Sequence, residues 1–220
     1  PDNRLLGHFP RHRLTAEQIR DTALYTSGLL VEEFGGPSVK PYQPPGLWRE
    51  VAMLASNTRI FERGEGEALW RRSLYTYWKR AAPPPSLLTL DAPTREACVI
   101  RRTTTNTPLQ ALVLWNDEQF VEAARILAER TLRDGATDAE RITTLMRRCT
   151  GRVPGEEELA LLGAALAEFR ARYAAAPEDA TALLAVGEAP MSPDFAAEEL
   201  AAWTLLASAV LNLHETITQD

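Results

Sequence analysis

The chain has 220 residues, 45% of them hydrophobic and 25% charged, and its formal net charge is -6. This composition predicts a soluble globular protein of one large or two small domains, and no apolar run approaches the ~18 residues of a membrane span. Residues 1–116 carry 15 Lys/Arg against 11 Asp/Glu, whereas residues 117–220 carry 9 against 19. The acidic second half argues against nucleic acid as the partner.

The first predicted helix follows a capping box. Thr15 is followed three residues later by Gln18, the pattern of an N-cap in which both residues bond each other's backbone. Apolar residues then recur on one face until a glycine and proline run at 35–37 stops the helix. We therefore expect a first helix over 16–34.

Short elements and irregular chain are expected next. Prolines exclude regular structure over 38–46, and the apolar segment 47–55 predicts a second helix. Residues 58–67 are interpreted as a loop, with a small hairpin as the alternative.

Four apolar side chains predict a third helix over 67–80. They recur at i, i+4, i+7 and i+8 and so share one helical stripe: Trp70, Leu74, Tyr77 and Trp78. The triple proline at 83–85 should end this helix and begin an extended connector that runs to about residue 92. An alternative role for the aromatic residues is a floor for sugar rings, formed by Trp70, Tyr75, Tyr77 and Trp78.

Helices are predicted throughout the rest of the chain. Thr107 and Gln110 form a second capping box with Pro108 at the first helical position, which predicts a helix over 108–115. Asn116 is then expected to cap a helix over 117–133. Three or four more helices should follow a break at 135–138, over 139–149, 156–174, 194–213 and, as the optional one, 178–186.

The predicted fold is therefore all-α, an irregular multi-helix bundle with a proline- and arginine-rich stretch of non-regular chain. We call this stretch, at about 38–107, the basic belt. The expected organisation is a helical domain over 1–133 that contains the belt and an alanine-rich helical subdomain over 134–220, packed on the first as one unit.

A ligand site is predicted in the basic belt. Seven cationic side chains lie within 71–116, where Asp91 and Glu96 are the only acids before Asn116. Guanidinium groups bind carboxylate, sulfate or phosphate in a bidentate manner, and helix N-termini add N–H donors. The candidate ligand-binding residues are Arg71, Arg72, Arg80, Asp91, Arg95, Arg101, Arg102 and Asn106.

A structural role for the same arginines is the alternative, and the residues alone favour it. The arginines would fix the belt by bonding its carbonyl oxygens and by pairing with Asp21, Asp91 and Glu96, because irregular chain lacks ladder partners. Loss of Arg101 and Arg102 would then strongly destabilise the protein. Asp91 is itself expected to be the N-cap of a following helix.

No motif identifies a reaction or a cofactor. The three histidines, His8, His12 and His214, have no carboxylate or cysteine at ligand spacing, and HExxH, paired CxxC and CxxCH are all absent. We therefore expect no metal site and no haem in this chain. Cys98 and Cys149 are expected to be buried core thiols, with a disulfide as the alternative in an exported parent.

Several segments resemble a C-terminal domain of unknown function found in large planctomycete, verrucomicrobial and acidobacterial proteins: RRSLYTYWKR, PPPS, DAPTRE and RRTTTNTPLQALVLWND. Three more stretches are similar to the same family: LLGHFPRHRLTAEQIRDTALYTSGLL, GGPSVKPYQPPGLW and LNLHE. A mild difference is Leu90, where relatives often have phenylalanine. The resemblance implies that the domain commonly follows a planctomycete-type cytochrome c domain, that the location is extracytoplasmic, and that haem lies only in an upstream domain. It also implies that the chain is a fragment beginning inside the domain.

The expected function is therefore that of a non-catalytic accessory or interaction module of a larger multidomain protein. Its belt would bind an anionic ligand or dock a cytochrome domain, so the expected partners are other domains of the parent protein and anionic polysaccharide. The alternative is a catalytic domain acting on polysaccharide, in particular anionic polysaccharide. A scaffold that only packs against the cytochrome domain is the third possibility.

Overall fold

The computed structural model of the chain describes residues 11–219. The described part contains nine α-helices, two short 3-10 helices and one antiparallel pair of two-residue strands. In chain order the named elements are β1 (His12–Arg13), α1 (Ala16–Ser27), α2 (Leu47–Val51), α3 (Pro85–Thr89), α4 (Pro108–Asn116), α5 (Glu118–Arg133), α6 (Asp138–Thr150), α7 (Glu156–Ala175), α8 (Pro177–Leu184), α9 (Ala197–Leu211) and β2 (Thr218–Gln219). The predicted all-α class is confirmed.

Helix α9 lies at the centre of the bundle. Trp203 and Leu206 on this helix are fully buried, α4 to α8 all contact it, and α1 packs on α5. Alanine supplies much of the buried surface of α5 and α9, and short side chains allow helix backbones to approach closely. One apolar core extends from Ala16 to Ile217 and so contains residues from both predicted parts of the chain.

Helix α1 begins as predicted but ends early. The capping box at Thr15 is confirmed. The helix ends at Ser27, not at residue 34, because Gly28 adopts the left-handed conformation, with φ of 85°. The chain that follows approaches the belt, and Val31 forms a parallel bridge with Arg71. The predicted extension of this helix is therefore wrong.

The helix predicted over 67–80 is also wrong. This segment holds two short 3-10 helices, Gly66–Leu69 and Ser73–Tyr75, and its backbone pairs with earlier chain. The N–H of Val39 donates to Tyr75 O at 2.8 Å, and the N–H of Tyr77 donates to Val39 O at 2.7 Å. Hydrogen bonds to a neighbouring segment thus replace the i to i+4 bonds that the apolar stripe predicted.

The triple proline of the belt acts differently from the prediction, whereas the prolines over 38–46 leave that segment without a helix or a strand, as expected. Helix α2 ends at Val51, before the predicted end at residue 55. The loop predicted over 58–67 is confirmed as far as residue 65, where the 3-10 helix Gly66–Leu69 follows. The triple proline starts a helix where an extended connector was expected. Pro85 is the first residue of α3. A backbone N–H at this position makes no bond within the helix, so proline, which lacks one, is tolerated there.

The later helices largely follow the sequence pattern. The capping box of Thr107 and Gln110 starts α4, with Pro108 at its first position. The N-cap of α5 is Asp117 and not Asn116, since the Asp117 side chain accepts the N–H of Gln119 at 3.2 Å. The four helices α6 to α9 are confirmed within a few residues of their predicted bounds.

A buried carboxylate joins the belt to the bundle. Glu122 on α5 is fully buried and accepts four hydrogen bonds. Two come from the belt, from Tyr42 Oη at 3.1 Å and Trp70 Nε1 at 2.8 Å. The other two come from the loop between α8 and α9, where the N–H groups of Glu188 and Ala189 donate at 2.7 Å. Several donors compensate a carboxylate for the loss of water, so three parts of the chain are held together on α5.

Candidate functional site

Arg71 is occupied by the backbone of the chain just before the belt. Its side chain is buried and donates to the carbonyl oxygens of Glu33 at 3.2 Å, Pro37 at 3.0 Å and Gly35. The guanidinium carbon lies 4.1 Å from the centre of the Tyr75 ring. Arg71 therefore fixes an irregular segment, which is the structural role that the sequence suggested for the belt arginines.

Arg20 fixes the belt as well, and the sequence pattern did not single it out. This residue of α1 is 1% exposed and donates to Leu69 O at 2.7 Å and Arg71 O at 2.9 Å. Burial lowers the pKa of Arg20 to about 10, and the nearby carboxylate of Asp21 partly offsets that effect. Arg20 thus remains charged at neutral pH while its fork bonds two belt carbonyls.

Four predicted ligand residues lie apart on the surface. The side chains of Arg72, Arg80, Arg101 and Asn106 are exposed and make no hydrogen bond or ion pair with the described part of the chain. Arg102 is also exposed and pairs with Glu17 at 2.7 Å. The expectation that Arg101 and Arg102 fasten the belt is therefore wrong for Arg101. Arg102 makes one surface ion pair, and such pairs contribute little to stability.

Asp91 and Arg102 line one small cavity of about 140 Å³, which they share with Arg13. Asp91 is not the predicted N-cap, because its φ is 69° and the next helix begins only at Pro108. Its carboxylate instead accepts the N–H of Thr105 at 2.7 Å and the amide of Gln110 at 3.1 Å. Burial lowers the pKa of Arg13, and the nearby charge of Asp91 partly offsets that effect.

Arg95 and the aromatic residues have separate partners. The guanidinium carbon of Arg95 lies 4.3 Å from the centre of the Trp78 ring. Trp70 donates to Glu122 on α5, while the Tyr77 ring packs against Trp48 with centroids 5.4 Å apart. The predicted floor of four aromatic rings for a sugar does not form, because these rings contact different parts of the chain.

An open pocket lies in an earlier part of the belt, around Trp48. It has a volume of about 410 Å³ and lies beside α2. Nine residues line it: Gln43, Pro45, Gly46, Trp48, Arg49, Arg59, Ile60, Phe61 and Arg63. We call it the Trp48 pocket.

Buried donors around the Trp48 pocket lack acceptors. Trp48 is 2% exposed, and its Nε1 has no hydrogen-bond partner in the described structure. The same is true of Gln43 Nε2 and Arg59 Nε. A buried donor left unpaired costs about 1–3 kcal/mol. Three such donors belong to residues that line this one pocket, and the protein itself leaves them without an acceptor.

The lining of the Trp48 pocket is cationic. Three arginines line it and no carboxylate does. The side chains of Arg49 and Arg59 form neither a hydrogen bond nor an ion pair with residues 11–219. Lys40 and Lys79 add positive charge nearby, with their Nζ atoms 5.6 and 4.7 Å from the Trp48 ring. Together these groups favour an anion in the pocket.

Apolar groups border the same pocket. Phe61 meets Trp48 edge to face, with centroids 5.1 Å apart and an interplanar angle of 73°. Ile60 is 67% exposed. The pocket thus combines N–H donors and positive charge with an apolar side, which suits a small ring that carries an acid group.

The sequence prediction missed this pocket because it started from the denser cation run after residue 70. A signal was present in the earlier segment, where cationic and aromatic residues alternate outside any helical pattern: Lys40, Tyr42, Trp48, Arg49, Arg59, Phe61 and Arg63. Prolines prevent these side chains from forming a helical stripe. Their clustering therefore needed a tertiary explanation.

Thiols and candidate metal ligands add no further site. Cys98 is exposed and Cys149 half-buried, both as free thiols, so the prediction of a buried core thiol is wrong for Cys98. Burial raises the pKa of Cys149 to about 12. Over the range 11–219, no three His, Cys, Asp or Glu side chains cluster as metal ligands, and His8 lies outside that range. No helix in the described chain has the length and apolar character needed to cross a bilayer.

These features define a helical protein whose cationic pocket is formed by the short helix α2 and the non-regular chain around it. The sequence profile of PSD1, described as a protein of unknown function (DUF1553), matches residues 1–166, well over half of the chain. The chain therefore belongs to the PSD1 family. No curated protein and no solved structure matches it.

Proposed function

We propose that this chain is a non-catalytic interaction module that binds an acidic saccharide in the Trp48 pocket. One observation carries the proposal: three arginines and no carboxylate line the pocket, and three of its lining residues each keep a buried N–H that the protein leaves unpaired. A ligand rich in acceptor oxygens would satisfy donors that the protein leaves unpaired.

The chemistry of the lining supports a sugar acid. The forks of Arg49 and Arg59 match the two oxygens of a carboxylate or sulfate group. The N–H groups of Gln43 and Trp48 suit ring hydroxyls, and Phe61 offers an apolar contact for the C–H face of a ring. A volume of about 410 Å³ lies in the range of small-molecule sites.

The same lining supports binding without cleavage. Most glycoside hydrolases use two carboxylates that flank the bond to be broken. The nine residues that line the pocket include no Asp, Glu, His or Cys. The alternative of a polysaccharide-cleaving domain therefore gains nothing from this pocket.

The wider setting belongs to the same proposal. Membership of the PSD1 family, together with the resemblance of the belt motifs, supports a larger extracytoplasmic protein in which any haem lies in an upstream domain. Other domains of that parent are the proposed protein partners. Met53 and Leu54, exposed at 84% and 82% in the loop after α2, offer an apolar surface for such a neighbour.

A titration with galacturonic acid, monitored by calorimetry, tests the proposal. The chain should bind this acid, whereas galactose, which has the same ring without the carboxylate, should bind at least ~10-fold more weakly. The double substitution Arg49→Gln with Arg59→Gln should reduce the affinity for galacturonic acid by at least ~10-fold. Added salt should weaken binding, because the pocket is open to solvent.

The matched control is Arg80→Gln, which removes the same charge from an exposed and unpaired belt arginine outside the pocket. Its affinity should stay within about twofold of the parent value, because exposed charges at a distance are screened. Equal binding of galactose and galacturonic acid, or an equal loss in both variants, would show that the pocket arginines do not recognise the acid.

A further inference from the structure

Arg63 differs from the other two arginines of the Trp48 pocket because it already holds an anion. Its Nη2 pairs with the carboxylate of Glu188, and its Nη1 lies 3.7 Å from Glu118 Oε1. Arg49 and Arg59, by contrast, have no acid partner in the described chain. The pocket therefore has two open cations and one that is occupied from within the protein.

Glu188 is held in place by other bonds. Its N–H donates to Tyr42 Oη at 2.8 Å and to Glu122 at 2.7 Å. Its carboxylate oxygen Oε2 accepts the N–H of Gly66 at 3.0 Å. The loop between α8 and α9 thus presents this carboxylate to Arg63 in a fixed position.

The preceding residue makes that position hard to change. Gly187 has φ of +90°, and a Cβ atom there would lie 2.5 Å from Glu122 Oε1. Only glycine fits such a close approach with a left-handed backbone. The loop therefore packs directly on the buried Glu122, one residue before the carboxylate that reaches Arg63.

A second acid reinforces the occupation of Arg63. Burial raises the pKa of Glu118, while the charge of Arg63 acts in the opposite direction. The guanidinium carbon also lies 5.2 Å from the centre of the Tyr42 ring. A ligand anion that approached Arg63 would compete with two carboxylates that the protein supplies.

We propose that Glu188 sets the specificity of the Trp48 pocket by competing with the ligand for Arg63. This inference rests on the proposed function. The acid group of a ligand with one negative charge binds at Arg49 and Arg59 and leaves the pair of Arg63 and Glu188 intact. The second acid group of a diacid contacts Arg63 only when the ion pair between Arg63 and Glu188 breaks. The unsubstituted chain therefore binds ligands with a single acid group in preference to diacids at this site.

Glu188→Gln tests the inference, with calorimetric titration of galacturonic acid and of digalacturonic acid. Glutamine keeps an oxygen that accepts the N–H of Gly66 but removes the competing charge. The affinity for digalacturonic acid should rise about five- to tenfold, whereas that for galacturonic acid should change by less than about twofold. Adding Arg63→Gln to this variant should abolish the gain.

The control is Glu62→Gln, which removes a charge next to Arg63 in sequence without breaking its ion pair. Glu62 is exposed and pairs with no cation in the part of the chain described. This variant should raise the affinity for both acids by the same small factor. Thermal melts of each variant show whether it remains folded.

The outcomes separate this inference from the proposed function. Equal gains for the two acids in Glu188→Gln, no gain, or a loss, with binding intact in the parent chain, would overturn the role of Glu188 alone. Absence of binding in both the parent chain and Glu188→Gln would overturn the proposed function and this inference together. A selective gain for the diacid that disappears with Arg63→Gln supports both.

Discussion

At the scale of single residues, five arginines in and beside the belt show three kinds of environment. Arg20 and Arg71 bond backbone carbonyls, Arg63 pairs with carboxylates, and Arg49 and Arg59 face a pocket without a partner. The same side chain therefore fixes irregular chain in one place and remains available to a ligand in another. The difference lies in the acceptors that the fold brings to each position.

Arg71→Lys should destabilise the protein although it keeps the charge. The lysine ammonium lacks the planar fork of N–H donors with which Arg71 bonds three carbonyl oxygens and stacks on Tyr75. At least one buried acceptor therefore loses its partner. We expect the free energy of unfolding to fall by about 1–3 kcal/mol, measured by urea unfolding.

The neighbouring substitution Arg72→Lys is the control, since Arg72 is exposed and its side chain has no partner within the described residues. It should leave the free energy of unfolding within about 0.5 kcal/mol of the parent value. Similar losses in the two variants would mean that the carbonyl contacts of Arg71 contribute little to stability.

At the scale of single elements, two glycines show opposite requirements. Gly28 ends α1 with a left-handed backbone, and a Cβ there would lie 2.5 Å from Arg130 Nη1. Gly163 lies inside α7 with open space around its Cα. One glycine is required by the conformation of the chain and the other is not.

Gly28→Ala should lower the free energy of unfolding by at least ~1 kcal/mol, because alanine is strained at positive φ and must displace Arg130. Gly163→Ala should raise it by about 0.5–1 kcal/mol, because alanine favours a helix interior. Urea unfolding of both variants gives the comparison. Changes of the same sign would contradict this account of how α1 ends.

The elements that the sequence predicted correctly depend on residues within one helical turn. The capping boxes at Thr15 and Thr107 need only a partner three residues away, so both were found. The stripe at 67–80 has the right spacing for a helix, but Val39 offers it backbone partners from a distant part of the chain. Local patterns cannot show such a competitor.

The candidate site was harder to predict for the same reason. The sequence predicted ligand binding in the belt at one set of arginines, whereas the Trp48 pocket is lined by three other arginines of the belt. The residues were different, because Arg71 and Arg102 find acceptors in remote segments while Arg49 and Arg59 do not. Which arginine remains unpaired is decided by tertiary contacts alone.

At the scale of the whole molecule, one arginine ties three helices together. Arg170 on α7 bonds Asp138 on α6 through Nη1 at 2.5 Å and Glu199 on α9 through Nε at 2.8 Å. Its hydrogen bonds lower the pKa of both carboxylates below their ordinary values. Because the folded-state pKa values are depressed, this contribution to stability is complete above about pH 4–5 and is lost as pH falls through the lowered values.

Arg170→Gln should therefore have a lower melting temperature than the unsubstituted chain at pH 6. At pH 3 the difference between the two melting temperatures should be smaller. These groups are partly exposed, so we expect a loss of about 1 kcal/mol or less at pH 6, or roughly 2–4 °C. Arg147→Gln, at an exposed position of α6 with no partner in the described chain, is the control and should show no such narrowing. A deficit that stays constant from pH 6 to pH 3 would contradict the assignment of this pH dependence to Arg170.

The contacts of Glu122 affect the order in which parts of the protein can fold during synthesis. Two of the four donors to this carboxylate, the N–H groups of Glu188 and Ala189, follow it by 66 and 67 residues. The belt side chains Tyr42 and Trp70 are made long before that loop leaves the ribosome. The full set of donors to Glu122, and with it the attachment of the belt to the bundle through this carboxylate, is therefore complete only after residues 188 and 189 have been synthesised.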